Sequence, residues 1–280
     1  MKILFKKLSL KKVLYAILTF ILALCLVFGS LITVVRITFF NGNFLSDTLN
    51  SSQYYNDLCV EITENLTDLG DASGLDKSFF EGFVSEVLVR EDVQSYITDF
   101  YEGKPLKINT SKFDESLQNA LKKYIKTNHI KNVNEESLEY FSAKASKIYA
   151  NSIKIKYFSA IQDLIINNAG LLTVMIVILT LISAIICVIL IATHEWKHKA
   201  LRYIYTAVSS AGLFLLILPI CIFASGVIGH IAIMSRSLSD MYTSILYTVL
   251  SDMIVISVVL IVVAVAIWVI HSRVRKKSAV

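Results

Sequence analysis

The sequence predicts an all-α, polytopic membrane protein with four transmembrane helices and an extracytoplasmic helical domain between spans one and two. Of its 280 residues 55% are hydrophobic and 18% charged, with a mean hydropathy of +0.63, which is too apolar for an ordinary soluble domain. Two prolines and ten glycines in the whole chain favour helices throughout. Four apolar stretches have about the 20 residues needed to cross a bilayer, at 13–35, 171–192, 203–229 and 253–270.

The first span, 13–35, follows a basic tail at 1–12 that contains five lysines and no acid. A basic start followed by an apolar run also describes a signal peptide. This run is longer than the usual apolar region of about 7–15 residues. We therefore expect an uncleaved signal-anchor.

The distribution of basic residues predicts the orientation of the spans. The tails 1–12 and 271–280 and the loop 193–202 together hold twelve Lys or Arg and one acid, whereas 37–169 holds thirteen basic and nineteen acidic residues. Because Lys and Arg that flank short loops stay in the cytoplasm, we expect both termini inside and 37–169 extracytoplasmic. The net charge of +5 then reflects topology, and we predict no nucleic-acid partner.

Helical periodicity divides the extracytoplasmic segment into about five predicted helices. Apolar residues in steps of three and four predict them at 55–69, 79–88, 93–101, from about Ser111, and from Asn134 onward. Cys59 is the one cysteine in this segment, so no disulfide can form within it and a hydrophobic core must hold the domain. We expect Cys59 to be a small, buried side chain.

The fifth predicted helix starts at Asn134, and the two glutamates that follow suit its N-terminal dipole. Its apolar residues from Leu138 to Ile155 form a narrow packing seam. No Gly or Pro follows before Gly170, so one interpretation joins this helix to span two as a single rod. The favoured interpretation is an ordinary core contact of a helical bundle.

The C-terminal part is predicted to contain a cytoplasmic loop at 193–202, an extracytoplasmic loop at 230–252 and a cytoplasmic basic tail at 271–280. Within the extracytoplasmic loop we predict an interfacial helix at 238–250, because one side of it carries Leu238, Met241, Ile245 and Val249. In span three, Gly212 is expected to permit close approach of a neighbouring helix.

Aromatic and basic residues at the inner ends of the spans are predicted to anchor the protein at the membrane interface. Amphipathic rings are favoured at the head-group level, and cations remain in the water beside it. These predicted anchors are Trp196, Lys197, Lys199, Arg202, Trp268 and Arg273.

The sharpest motif is His194-Glu195-x-x-His198, which matches the H-E-x-x-H pattern of zinc metallopeptidases. On a helix the two histidines would lie one turn apart and bind one Zn²⁺, while Glu195 would activate the metal-bound water. Lys197 and Lys199 oppose a bound cation, and no convincing third ligand lies on the same side. We predict no catalytic residue, metal or cofactor. The alternative is a zinc metallopeptidase that uses His194, Glu195 and His198.

The order of one span, a large external domain and three further spans is similar to that of mechanotransmission-type ABC permeases, including the cell-division permease. The resemblance is one of layout. It implies a partner ATPase that docks on a cytoplasmic coupling helix before span three. The inner loop here, 193–202, leaves little to dock, so a permease-like subunit is a second alternative.

The leading hypothesis is a non-enzymatic binding, accessory or sensor subunit in a bacterial plasma membrane. The extracytoplasmic domain would recognise an envelope component or a protein partner, and the spans would contact the lipid bilayer. We expect either such a protein partner or a homo-oligomer. None of the four spans contains a charged residue, which argues against an ion pathway through this chain alone.

Overall fold

The computed structural model describes residues 2–130, 134–194, 196–230 and 235–277, with side chains from 11 to 275 except at 230. In these ranges the chain is helical and contains no strand, which confirms the predicted all-α class. Its nine α-helices are α1 (Lys2–Thr38), α2 (Gly42–Ser51), α3 (Tyr54–Asp71), α4 (Glu86–Glu102), α5 (Ser111–Thr127), α6 (Glu135–Ile153), α7 (Phe158–Thr193), α8 (Lys197–Ser225) and α9 (Arg236–Lys277).

Four helices, α1, α7, α8 and α9, are long and apolar enough to cross a membrane, so the chain is an integral, multi-pass membrane protein. Each contains a predicted span, although α8 ends at Ser225, before the predicted end of span three. Gly226 follows with a left-handed φ of 66°, which stops the helix. Because α8 already begins at Lys197, the predicted loop 193–202 shortens to the few residues after α7.

The chain divides into two compact units. The span unit comprises Met1–Thr38, Asn168–His230 and Leu246–Val280, and the helical domain comprises Phe39–Asn167 and Ile231–Ile245. The boundaries fall inside α7 and α9, so each of these helices supplies residues to both units.

The span unit is organised around α8, the most buried of the four spans. Small residues of α8 let its neighbours approach, and Ala207 packs in one cluster with Leu22 of α1 and Leu190 of α7. A Cβ atom on Gly212 would lie 2.9 Å from Cγ1 and 3.3 Å from the backbone nitrogen of Ile261. The predicted close approach at Gly212 is therefore confirmed.

The helical domain is built around α3, which packs against α2, α4 and α6. Leu58, Ile62 and Leu66 repeat at steps of four and are fully buried in the core. Cys59 packs against the same core as a free thiol, and burial raises its pKa to about 11. Helices α3, α4 and α5 confirm three of the predicted helices, whereas α2 was not predicted.

The helix predicted at 79–88 is wrong. A short 3-10 turn, Lys77–Phe79, is followed by a turn in which Gly82 takes a φ of 70°, and α4 begins only at Glu86. The turn buries the Phe80 ring completely while Val87, assigned to the same apolar stripe, is 67% exposed. Phe80 fills part of the core from a turn. Its burial produces the apolar spacing that is typical of a helix, although no helix is present here.

The fifth predicted helix is confirmed as α6, and its seam is the favoured core contact, since Phe141 and Ala145 are buried in the core of the helical domain. The alternative of a continuous rod from Asn134 into span two is wrong. Helix α6 begins after Asn134, whose side chain accepts a hydrogen bond from the Glu136 backbone, but it ends at Ile153. Both Ile155 and Phe158 are buried in the core, and Tyr157 between them adopts a left-handed φ of 71°. An α-helix would place these two residues, three positions apart, on one face as well, so the break is marked by the backbone and not by the side-chain pattern. The extended Lys154 and the left-handed Tyr157 end the helix before α7 starts at Phe158.

The predicted interfacial helix at 238–250 is instead the first part of α9. Met241 is buried in the core of the helical domain, with Leu238 and Ile245 packed against it, so protein rather than head groups covers this apolar side. The Glu61 carboxylate of α3 holds the start of α9. It accepts hydrogen bonds from the Ser237 backbone at 2.9 Å, the Ser237 hydroxyl at 2.7 Å and the Ser235 hydroxyl at 2.9 Å. A carboxylate at a helix N-terminus is favourable for the helix dipole.

Gly70→Ala is expected to destabilise the helical domain, because the added methyl group would collide with the fully buried Phe80 ring, only 2.7 Å from its Cζ. Overpacking of this kind costs about 1–3 kcal/mol. Thermal unfolding of the detergent-solubilised protein, followed by near-ultraviolet circular dichroism, measures the loss. Gly170→Ala, where an added Cβ meets open space, is the matched control, and equal behaviour of the two variants would contradict the packing.

Candidate functional site

The histidine motif lies across the ends of two helices. Helix α7 ends at Thr193 and α8 begins at Lys197, so His194 and His198 do not share one helix as the metallopeptidase pattern requires. The predicted catalytic residue of that alternative, Glu195, lies outside the described residues. The geometry on which the zinc alternative depends is therefore not formed by the two histidines.

His194 belongs to an aromatic cluster with Tyr15 of α1 and Tyr203 of α8. Its ring centroid lies 4.0 Å from that of Tyr15 and 5.3 Å from that of Tyr203. His194 Nδ1 lies 2.8 Å from the Leu190 carbonyl oxygen, and because a carbonyl only accepts, Nδ1 carries the proton. The Tyr15 hydroxyl donates to the Thr193 carbonyl at 3.1 Å, which fixes the cluster against the end of α7.

His198 faces a different neighbour, His271 of α9, with 6.3 Å between ring centroids. The Nδ1 atoms of both rings are buried and have no hydrogen-bond partner among the described residues. Across the residues that the structure describes, no group of three His, Cys, Asp or Glu side chains is placed to hold a metal ion. The two histidines of the motif thus have separate surroundings.

A groove of about 840 Å³ opens at the basic end of the span unit, between residues 11–23 of α1 and the first turns of α8. We call it the basic groove. Cations, aromatic rings and small side chains line it: Lys11, Lys12, Tyr15, Ala16, Thr19, Phe20, Ala23, Thr193, His194, Trp196, Lys199, Arg202, Tyr203, Thr206, Ala207 and Ser210. The described lining contains four cationic side chains and no carboxylate. This composition suits an anionic group attached to an apolar body.

The predicted membrane-interface anchors separate into two sets. Trp196, Lys199 and Arg202 line the basic groove, whereas Lys197, Trp268 and Arg273 are exposed outside its lining. The predicted site residues did not include Lys11, Lys12 or Tyr15. One helical turn separates Lys11 or Lys12 from Tyr15, and this spacing was the available signal.

The helical domain has a separate cavity of about 750 Å³, which we call the domain cavity. Residues of α5, α6 and the turn after α3 line it, and most of them are apolar or aromatic: Ser73, Gly74, Leu75, Leu121, Tyr124, Ile125, Ile130, Asn134, Glu136, Ser137, Leu138, Tyr140 and Phe141. Tyr140 is 65% and Ile130 is 45% exposed. The cavity therefore presents apolar surface that the domain's own core does not cover.

A buried polar pair lies inside the helical domain. Tyr149 is fully buried, its ring stacks on Phe113 at 4.3 Å, and its hydroxyl donates to Asp92 at 2.6 Å. Burial raises the pKa of Asp92, and this effect outweighs the lowering by the Tyr149 hydrogen bond and by Lys112. Because Tyr149 is part of the core, the pair reads as a structural contact rather than as an acid exposed to substrate.

Comparisons of this chain with protein families, with curated proteins and with solved structures find no match. The four spans establish an integral membrane protein on their own composition and length.

Asp92→Asn is expected to stabilise the helical domain near neutral pH, and the gain should vanish as the pH falls. The pKa of Asp92 is higher in the folded protein than its ordinary 3.8, so the folded state binds more protons between these two values. The folded state is therefore stabilised as the pH falls through the raised pKa and Asp92 becomes neutral. Asparagine is neutral at every pH, so the Asp92→Asn variant has this stability already at pH 7. Thermal midpoints of both proteins across an acid-to-neutral series measure the difference.

Asp76→Asn is the control of opposite sign. The Ser78 backbone hydrogen bond holds the pKa of Asp76 below its ordinary value, so its stabilising charge is present at neutral pH and is lost on acidification. Equal loss of stability in Asp92→Asn at every pH would contradict a raised pKa for Asp92.

Proposed function

We propose that this protein is a non-enzymatic binding or accessory subunit of the plasma membrane, which recognises a protein partner through its helical domain. The observation that carries the proposal is the domain cavity, rimmed by the exposed side chains of Tyr140 and Ile130. The domain already has a complete aromatic and aliphatic core around α3. The exposed apolar rim is thus available for a partner, as interface centres are rich in aromatic residues.

The charge around the cavity supports a protein partner with an apolar anchor and acidic neighbours. Lys144 lies over the Tyr140 ring at 5.4 Å, and Glu136 is the one charged residue in the described cavity lining. An apolar side chain would occupy the cavity while a flanking carboxylate meets Lys144. Such rim charges steer association and select partners more than they add affinity.

Orientation completes the proposal, with both termini cytoplasmic and the helical domain extracytoplasmic. The support is the concentration of Lys and Arg in the two tails and in the segment that joins α7 to α8, against nineteen acidic residues in 37–169. The same short segment gives a partner ATPase little to dock on, since α8 begins at Lys197. An accessory subunit is therefore favoured over the permease-like alternative.

A photoreactive phenylalanine analogue at Tyr140 is expected to crosslink a partner protein in intact cells. Tyr157 is the matched control, because it is an aromatic residue of the same domain, 73% exposed, and absent from the cavity lining. Denaturing gels and mass spectrometry identify the adducts. A partner trapped at position 140 and much less at 157 supports the proposal, and an adduct with a second copy of the chain identifies a homo-oligomer. Equal yields at both positions would refute the domain cavity as a docking site.

Cysteine labelling tests the orientation independently. Lys123→Cys, in the exposed face of α5, should react with a membrane-impermeant maleimide in intact cells, whereas Lys276→Cys in the C-terminal tail should react only after permeabilisation. The parent protein, which retains its four cysteines, sets the background. Labelling of Lys276→Cys in intact cells would reverse the proposed topology.

A further inference from the structure

We propose that the basic groove binds an anionic phospholipid, with the phosphate held by cations of α1 and α8 and an acyl chain lying along the apolar part of the groove. This site lies in the span unit and is independent of the partner proposed for the helical domain. Lipid bound there would be a specific ligand and not merely part of the surrounding bilayer.

The cations come from two helices that are far apart in the sequence. Lys11 and Lys12 of α1 and Lys199 and Arg202 of α8 line one groove, whose described lining holds no carboxylate to neutralise them. Lysine binds a phosphate oxygen as a point charge, and the planar guanidinium of arginine can bind two oxygens at once. Four cations in a groove whose described lining has no carboxylate repel one another, and one bound phosphodiester reduces that repulsion.

The wall of the groove is formed before any ligand binds. The clustered rings of Tyr15, His194 and Tyr203 are held at the end of α7 by two hydrogen bonds. Tyr15 contacts the Thr193 carbonyl, and His194 contacts the Leu190 carbonyl. A pre-formed wall lowers the ordering cost of binding. Tyrosine and tryptophan rings also suit the head-group level of a membrane.

The apolar end of the groove favours a lipid over a soluble anion. Phe20 lies about 13 Å further along α1 than Lys11 at 1.5 Å per residue, and its ring is 64% exposed. Beside it, the small side chains of Ala23 and Ala207 line the groove and leave room for a hydrocarbon chain. A free phosphate would contact only the cationic end, whereas a phospholipid contacts both.

Two predicted anchors provide an internal comparison. Lys197 and Arg273 carry the same charge and are exposed near the same helix ends, but neither lines the basic groove. General attraction to an anionic bilayer would use all four cations alike. A specific site would depend on the groove residues Lys199 and Arg202 and not on Lys197 and Arg273.

The experiment uses Trp196 as the reporter. The chain has two tryptophans, and Trp268 lies outside the groove lining, so Trp268→Phe leaves Trp196 as the single fluorophore. The full-length variant is placed in phosphatidylcholine vesicles that contain phosphatidylglycerol brominated near the carbonyl end of its acyl chains. Bromine quenches tryptophan on contact. We expect stronger quenching by brominated phosphatidylglycerol than by brominated phosphatidylcholine at the same mole fraction.

Paired charge variants identify the site in that background. Lys199→Gln with Arg202→Gln should weaken the preference for phosphatidylglycerol roughly thirty-fold, as expected for two lost contacts to an anionic lipid. Lys197→Gln with Arg273→Gln removes the same charge and should keep the preference. Size-exclusion profiles and helical circular dichroism check that both variants are folded.

Three results would overturn the proposal. Equal quenching by the two brominated lipids would show that the groove has no preference for an anionic head group. Equal losses in the two paired variants would reduce the effect to general surface charge. Relief of quenching by inorganic phosphate or glycerol phosphate would identify a soluble anion, and not a lipid, as the ligand.

Discussion

The structure depends on one constraint, that backbone N–H and C=O groups within hydrocarbon must find partners in their own segment. Helices meet it, and the chain uses four of them. Among them α7 has 36 residues and α9 has 42, well beyond the roughly 20 residues that a bilayer needs. The surplus of each supplies residues to the helical domain, so the same element serves two environments.

The helical domain is held by apolar packing and hydrogen bonds. Its described cysteine, Cys59, is a free thiol, and aromatic side chains supply much of the interior, including the Phe113–Tyr149 stack. The domain is completed by the start of α9, where Glu61 receives three hydrogen-bond donors from Ser235 and Ser237. Met241, near the start of α9, is buried in the core that forms around α3. The last helix of the chain thus contributes to a core that is otherwise built from residues before 168.

Sequence patterns predicted the spans and α3 to α5, because long apolar runs and regular steps of three and four report burial directly. They failed where a side chain is buried by a turn instead of a helix, or by a partner other than the expected one. Phe80 is buried by a turn, Met241 by protein instead of head groups, and the left-handed Tyr157 has no compositional signal. The basic groove was missed because its cations come from two distant segments. The sequence also did not indicate that α7 ends just before His194 and that α8 begins only at Lys197.

The late joining of α9 to the helical domain sets an order for biosynthesis. Chains emerge from the ribosome N-terminus first, at about 5–20 residues per second. The core around α3 is translated before α7 and α8, but the position that Met241 fills stays empty until α8 has been made. The domain must therefore wait, partly open, while two further spans are inserted. Its closure therefore follows the synthesis of α8 and of the first turns of α9.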